Sequence, residues 1–508
     1  MTSPNNPFIP SPTDFSTNSV VNSSTGRART ETATAPPLGC PAHRSSGAPA
    51  LRRLFGAEAE SDPMGLYERL RREHGTVAPV LVHGDVPAWL VLGYHENLEV
   101  MRSPSRFSRD SRLWHALKDG KVGPDHPLAP IVAWQPIAVF VDGAEHERLR
   151  GALNDSLGRF TSRGVRRHIT RFTHLLIDDF TTDGCAELVD QFAERLPMLV
   201  MTQLLGMPEK YEPQLVEAAR DMIQGTETAV SSNAYIMQLL DELVAEKRIA
   251  PGPDFASWLI EHHSKLTDTE AAQHLRLVLI AAFETTANLI ANTLRRLLTD
   301  RTLRSSLAAR GGHLSLPAAV EQVLWNEPPF TAIFGRWATG DTELGGQHIK
   351  AGDALILGLA AGNMDPAIRT NPGGPDDASA NSSHLAFSSG PHECPGRTIG
   401  QAIADTGIDV LLTRLPDIHL AVPESELRIN SSLMSQHLVE LPVKFTPSPR
   451  QPEFSAPFLP GSPAAQLQPS AGQSVSDLEA GSAPAATTMP DPQHLRWWKR
   501  VTAWLRRL

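Results

Sequence analysis

Residues Phe387 to Arg397 read "FSSGPHECPGR", with Cys394 set between glycines at 390 and 396 and a histidine two residues before it. The following segment, "RTIGQAIADTGIDVLLTRL", carries apolar residues at helical spacing, which places Cys394 just ahead of a helix N-terminus. There, unpaired N–H groups and the helix dipole favour a thiolate. Gly390 and Gly396 let the backbone turn tightly and lie close against something flat. A thiolate held this way suits nucleophilic catalysis or metal ligation. As a nucleophile it would need His392 as its base, yet no orienting acid or oxyanion hole is legible nearby. Zinc would need partner cysteines, which are missing. Heme needs one thiolate only, because its equatorial ligands come with the cofactor.

The rest of the chain narrows the choice. Across 508 residues the formal charge is -10, so there is no basic excess for nucleic acid. Cys40, Cys185 and Cys394 lie far apart and form no C-x-x-C pair, which reads as a reducing cytoplasm and not a disulfide framework. The opening "MTSPNNPFIPSPTDF" lacks a basic stretch followed by an apolar one, so no signal peptide is expected. The most apolar stretch, "LRLVLIAAFETTANLIANTL", is interrupted by Glu284, by threonines and by asparagines, and reads as a buried helix.

Composition divides the chain into four parts. Residues 1–48, rich in Ser, Thr, Pro and Asn, read as a disordered arm, and residues 49–445 as one folded body. Residues 446–490 return to Pro, Ser and Ala and read as a linker, and residues 491–508 as a basic amphipathic helix. Inside the body, "VRRHITRFTHLLIDDF", "SNAYIMQLLDELVAEKRI" and residues 271–299 carry the helical period. "VAPVLVHGDVPAWLVLG" predicts a hairpin turning near Gly84-Asp85, and "TELGGQHIKAGDALILGL" a set of short strands. The expected class is mainly α with a small β portion.

Phe387-x-x-Gly390-x-His392-x-Cys394-x-Gly396 resembles the heme-binding loop of the cytochrome P450 superfamily at every signature position. Other landmarks of that family follow at suitable distances. "DGAEHERLR" (Asp142 to Arg150) resembles the helix whose His-x-x-x-Arg pair meets a heme propionate, here His146 and Arg150. "FGRWATGDTELGG", after Pro328-Pro329, resembles the segment whose arginine, here Arg336, grips the other propionate. Glu284-Thr285, in "AAFETTAN", resembles the acid–alcohol pair of the long helix crossing the distal face of the heme. The resemblance spans about Leu51 to Phe445.

It implies a cytochrome P450 fold, heme b (iron protoporphyrin IX) as cofactor and Cys394 as the iron ligand. Phe387, Gly390, His392 and Gly396 would complete the loop, and Glu284 and Thr285 would deliver protons. The implied activity is a monooxygenase inserting one atom of O2 into a small apolar substrate. Electrons would come from a ferredoxin and its NAD(P)H-dependent reductase, since no reductase segment is visible. Phe330 to Phe334 would help line the pocket. A thiolate axial ligand favours O–O cleavage, and a carboxylate amid an apolar run is costly unless it is paired or used.

One departure is large. The family's Glu-x-x-Arg aligns on Gln322 and Trp325 in "AAVEQVLWNEPPF", and its third partner, an arginine, is missing from "TNPGGPDDASANSSH" (Thr370 to His384). Glu321 is adjacent but projects about 100° away on a helix. Replacing a whole charged cluster can be neutral, whereas stranding one charge costs about 3–5 kcal/mol. The expected outcome is a neutral, packed replacement, as in a branch of actinobacterial heme-thiolate proteins that this motif resembles. An alternative stays open: a heme-binding regulatory or sensor protein with little oxygenase activity, tethered near a membrane. It is favoured by this departure and by residues 494–508, whose basic and apolar faces fit either a membrane interface or a partner protein.

Overall fold

The structure, a computed structural model, describes residues 51–123, 126–224, 227–308, 315–369 and 382–451. The expected N-terminal arm, the terminal helix and all but the first residues of the linker lie outside the described residues. So does nearly all of the arginine-free stretch before His384.

The axis of the fold is the helix Asp268–Thr299, 32 residues long. Its start is set by a capping box: Thr267 accepts from the Glu270 amide, and the Glu270 carboxylate accepts from the Thr267 amide at 2.8 Å. By length and composition it could cross a membrane, but 61% of its most apolar window is buried against other helices. It is therefore a core helix, as its interrupting polar residues predicted. Around it pack Arg195–Leu205, Ala229–Ile249 and Arg397–Arg414, the helix that follows Cys394. Where that last helix meets the central one, a side chain on Gly400 would stand 3.7 Å from Thr286 Oγ1. Leu289, Ile290 and Leu294 of the central helix join Ile403, Ile408 and Leu411 in one apolar core.

A second core lies on a six-stranded sheet. Its order is Arg52–Arg53, Val77–Val82, Val86–Val91, Ala354–Leu357, Ile333–Ala338 and Phe107–Ser108. The predicted hairpin is its middle, pairing Val77 with Val91 through Val82 with Val86, and its turn holds Gly84 and Asp85 at positive φ. Val77–Val82 is buried along its whole length, which explains its continuous apolar run. The register slips between Phe334 and Arg336, so that Gly335 bulges at φ +122°. That bulge re-aims Arg336 and needs glycine, because a Cβ there would lie 2.8 Å from Arg109 Nη1. Phe334 is buried between Trp114 and Trp337, so it serves the sheet core; Phe330 and Ile333 keep exposed surface.

Candidate functional site

Cys394 sits at the end of a loop that two short turns fold back on itself. Its amide donates to Phe387 O at 2.8 Å, and Gly390 takes φ +71° where a Cβ would press within 2.8 Å of Met101 O. Gly390 is thus required by both conformation and space. Gly396 has an ordinary φ, and a Cβ there would stand 3.8 Å from Cys394 Sγ, over the thiol itself. Ser388 is held at φ 60°, ψ -166°, a conformation normally left to glycine. The helix begins at Arg397, as expected.

The thiol keeps exposed surface, yet burial pushes its pKa up; the Gly396 and Arg397 amides and nearby Arg150 offset this only in part. The helix terminus alone therefore does not produce the thiolate that its position led us to expect.

A histidine and two arginines gather beside this loop. His146 is buried with Nε2 unpartnered, its ring 4.1 Å from that of His392. Arg150, one turn on, reaches instead for Glu393 O and for Asn154 Oδ1 at 2.9 Å. The two residues straddle the cysteine loop. Arg336 is only 4% exposed, and its one hydrogen bond, at 3.2 Å, goes to the neighbouring Gly335 O. Burial, reinforced by Arg109, drives its pKa well below the usual guanidinium value.

Sequence reasoning missed two residues here. Arg109 donates through Nε to Val139 O at 2.8 Å and through Nη1 to Gly335 O, and burial brings it down to about 10. Asp142 stands at the N-cap of the His146 helix but does not cap it. Its carboxylate instead accepts from Ser108 Oγ (2.6 Å), the Arg109 amide (2.8 Å) and His392 Nε2 (2.9 Å). Burial opposes its charge, but those donors hold it near 2, while burial above all lowers His392 to about 4. The pair is a neutral imidazole donating to a carboxylate. An acidic N-cap was visible in "DGAEHERLR"; nothing in the sequence announced Arg109.

On the central helix, burial raises Glu284, and Ser435 Oγ donates to its Oε1 at 2.9 Å. Thr285 Oγ1 donates to Ala281 O at 2.7 Å, which leaves its oxygen free to accept. Ser435, missed by sequence reasoning, lies 151 positions away.

The helix Leu316–Asn326 carries the departure from Glu-x-x-Arg. Beside the aligned Gln322 and Trp325, Glu321 faces a histidine and a glutamine. Glu321 Oε2 stands 3.1 Å from His384 Nε2, and its Oε1 accepts from Gln401 Nε2 at 2.8 Å. Trp325 packs edge-on to His384 at 5.9 Å and stacks with Arg369 at 5.4 Å. His384 Nδ1 accepts the Ala386 amide, and its ring lies 5.6 Å from Phe387. An acid–imidazole clasp therefore joins this helix to the cysteine loop.

An accessible thiol, a buried guanidinium with no ion-paired carboxylate among the described residues and an orphaned imidazole nitrogen call for a ligand with a thiophilic metal and anionic groups. Heme b, with one iron and two propionates, fits that demand.

Comparison with known proteins gives the same direction. No family model matches the chain. A 2-hydroxy-5-methyl-1-naphthoate 7-hydroxylase of Streptomyces carzinostaticus is 33% identical over 399 residues, 75% of this chain and 95% of the relative. Cytochrome P450 CYP107DY1 of Priestia megaterium is 29% identical over 76% of this chain and 96% of its own length. Among solved structures, CYP154C4 from Streptomyces sp. W2061 superposes with a TM-score of 0.69 at 29% identity, covering 75% of this chain and 95% of that one.

Proposed function

The chain belongs to the cytochrome P450 superfamily, and on that premise we propose a division of labour among its residues. It is a heme b monooxygenase. Bound heme supplies the iron at which dioxygen is reduced, one atom entering the substrate and the other leaving as water.

In this reading Cys394 would hold the iron, as a thiolate once it is coordinated. Arg336, on its bulged strand, would hold one propionate, and His146 with Arg150 the other. The absence of a hydrogen-bonded acid on Arg336 and on the His146 Nε2 among the described residues supports the assignment. His392 and Asp142 orient the loop from behind, while Phe387, Gly390 and Gly396 shape it. Glu284 holds a proton that its buried site favours, and Thr285 accepts and passes it. Phe330 and Ile333 border the substrate space, which suits a small apolar molecule. Electrons come from a ferredoxin and its NAD(P)H-dependent reductase, in the cytoplasm.

The observation that carries this reading is the accessible thiol of Cys394 beside the buried Arg336 guanidinium and the unpartnered His146 Nε2. The test is the carbon monoxide difference spectrum of the dithionite-reduced protein beside Cys394→Ala. A strongly red-shifted Soret band that disappears in the variant is expected. The same band in both proteins, or its absence from the parent, would overturn the assignment.

A further inference from the structure

Glu284 has one hydrogen-bond partner among the described residues, Ser435, and that partner leads to the surface. Ser435 sits in the tip of the hairpin formed by Ile429–Ser431 and Gln436–Leu438, and is 4% exposed. Its Oγ donates to Glu284 Oε1 at 2.9 Å and lies 3.2 Å from Ser432 Oγ. Ser432 is exposed.

Donor bookkeeping gives this pair of hydroxyls a direction. Ser432 Oγ accepts from the Ser435 amide at 3.0 Å and from the Met434 amide at 3.3 Å. Its own proton is directed at Ser435, donating to the carbonyl oxygen with the Oγ at the same 3.2 Å, so that a small rotation turns it onto Oγ. Ser435 donates onward to the carboxylate. The two hydroxyls thus connect an exposed residue to a half-buried acid.

The tip is also held still. The Thr331 and Ala332 amides donate to Met434 O at 2.8 and 3.2 Å, and Phe330 bridges to Ser435. A donor–acceptor chain fixed in place is what proton transfer requires.

We propose that Ser432 and Ser435 form a two-hydroxyl relay that brings solvent protons to Glu284. This rests on the reading of Glu284 as a proton donor above. When Glu284 gives up its proton, the carboxylate takes the Ser435 hydroxyl proton and Ser435 takes that of Ser432. Ser432 is then restored by a proton from surface water. Only O–H bonds break and form, and the net change is one solvent proton delivered to the acid. Both serines act through Glu284, so they are positioning and relay residues.

The test is infrared spectroscopy of the heme-loaded enzyme at a mildly acidic pH where the Glu284 carbonyl band is developed. The band is identified by its loss in Glu284→Gln. Switching the buffer from H2O to D2O shifts this band at a rate set by proton access. Ser435→Ala and Ser435→Val should slow the shift at least tenfold, and Ser432→Ala should slow it too. Ser435→Thr, which has the shape of valine but keeps the hydroxyl, should exchange within about twofold of the parent. A merely structural role would move thermal stability in these variants but would not separate threonine from valine in exchange rate. Parental exchange in Ser435→Ala or Ser435→Val, or no carbonyl band lost in Glu284→Gln, would overturn the relay. If the relay fails while the Cys394-dependent carbon monoxide band persists, only the relay falls.

Discussion

The Glu321–His384 clasp offers the sharpest quantitative test, because its two halves should respond unequally to truncation. The His384 side chain is fully buried and that of Glu321 is 18% exposed. His384→Ala removes the imidazole and leaves a largely desolvated carboxylate with Gln401 as its hydrogen-bond partner. Breaking a buried pair from one side costs about 3–5 kcal/mol, and the residual exposure and the Gln401 bond put this case near 3 kcal/mol. Unfolding entropy of roughly 2.1 cal/mol/K per residue, over about 400 residues, converts that into a fall in Tm of about 3–4 °C. Glu321→Ala strands no charge, so it should cost only about 1–2 kcal/mol, or about 1–2 °C.

Calorimetry of the heme-loaded protein at neutral pH, with heme held in constant excess, measures both. The double variant should be little worse than His384→Ala alone, since the stranded charge has gone. Two results would refute the reasoning: equal effects of the single variants with strict additivity in the double, or a Tm within 1 °C of the parent for His384→Ala. The pH dependence carries a sign as well. Burial opposes ionisation of Glu321, but His384, Gln401 and Arg397 outweigh it and hold its folded pKa below the ordinary carboxylate value. The stability advantage of the parent over Glu321→Gln should therefore be complete above the ordinary value, and vanish as pH falls through the lowered one.

The other expectations concern the loop and its cations. Ser388→Gly relieves a conformation costing about 1–3 kcal/mol and adds back about 0.5–1 kcal/mol of backbone entropy, so Tm should rise by about 1 °C. Gly390→Ala meets Met101 O at 2.8 Å and a positive φ together; we expect a loss of at least about 2–3 kcal/mol in calorimetry and reduced heme content in the Soret spectrum. Arg336→Met should act in opposite directions on two readouts. Heme transfer to a scavenger globin should become about tenfold faster or more, while the heme-free protein melts no lower than the parent, because an unpaired buried cation has been removed.

What could be read beforehand was the part that sequence-local chemistry encodes. The loop around Cys394 compresses a turn, a φ-positive glycine and a helix start into eleven residues, so its meaning survives without tertiary contacts. The central helix declared itself by its apolar period. What escaped reading was long-range. Arg109 meets the Gly335 carbonyl 226 positions away, and Ser435 meets Glu284 across 151. A lone arginine or serine carries no signal of that kind. The neighbours of Glu321 were illegible for a different reason. Helical angle alone aimed it away from the aligned pair, but a carboxylate on a three-bond stem reaches whatever packs beside its own face, here His384 and Gln401.

This contrast separates two kinds of buried polar group. Asp142 and His392 are joined by a 2.9 Å hydrogen bond, and Glu321 lies 3.1 Å from His384 and accepts from Gln401, so that both contacts tie the segment around the cysteine loop to its neighbours. Among the described residues Arg336 and the His146 Nε2 have no hydrogen-bonded acid, with Asp142 acting on both only at a distance, and burial pushes the Cys394 thiol up. Each is a cost to the protein alone, and an unpaired buried polar group is worth about 1–3 kcal/mol, more for a charge. Three such groups side by side are what one ligand with a thiophilic metal and anionic groups would answer at once. It follows that the clasp should govern how well the loop holds its shape with or without heme, while the three unsatisfied groups should govern heme retention. Variants of the two sets should therefore separate: His384→Ala lowers Tm in both forms, and Arg336→Met alters heme release alone.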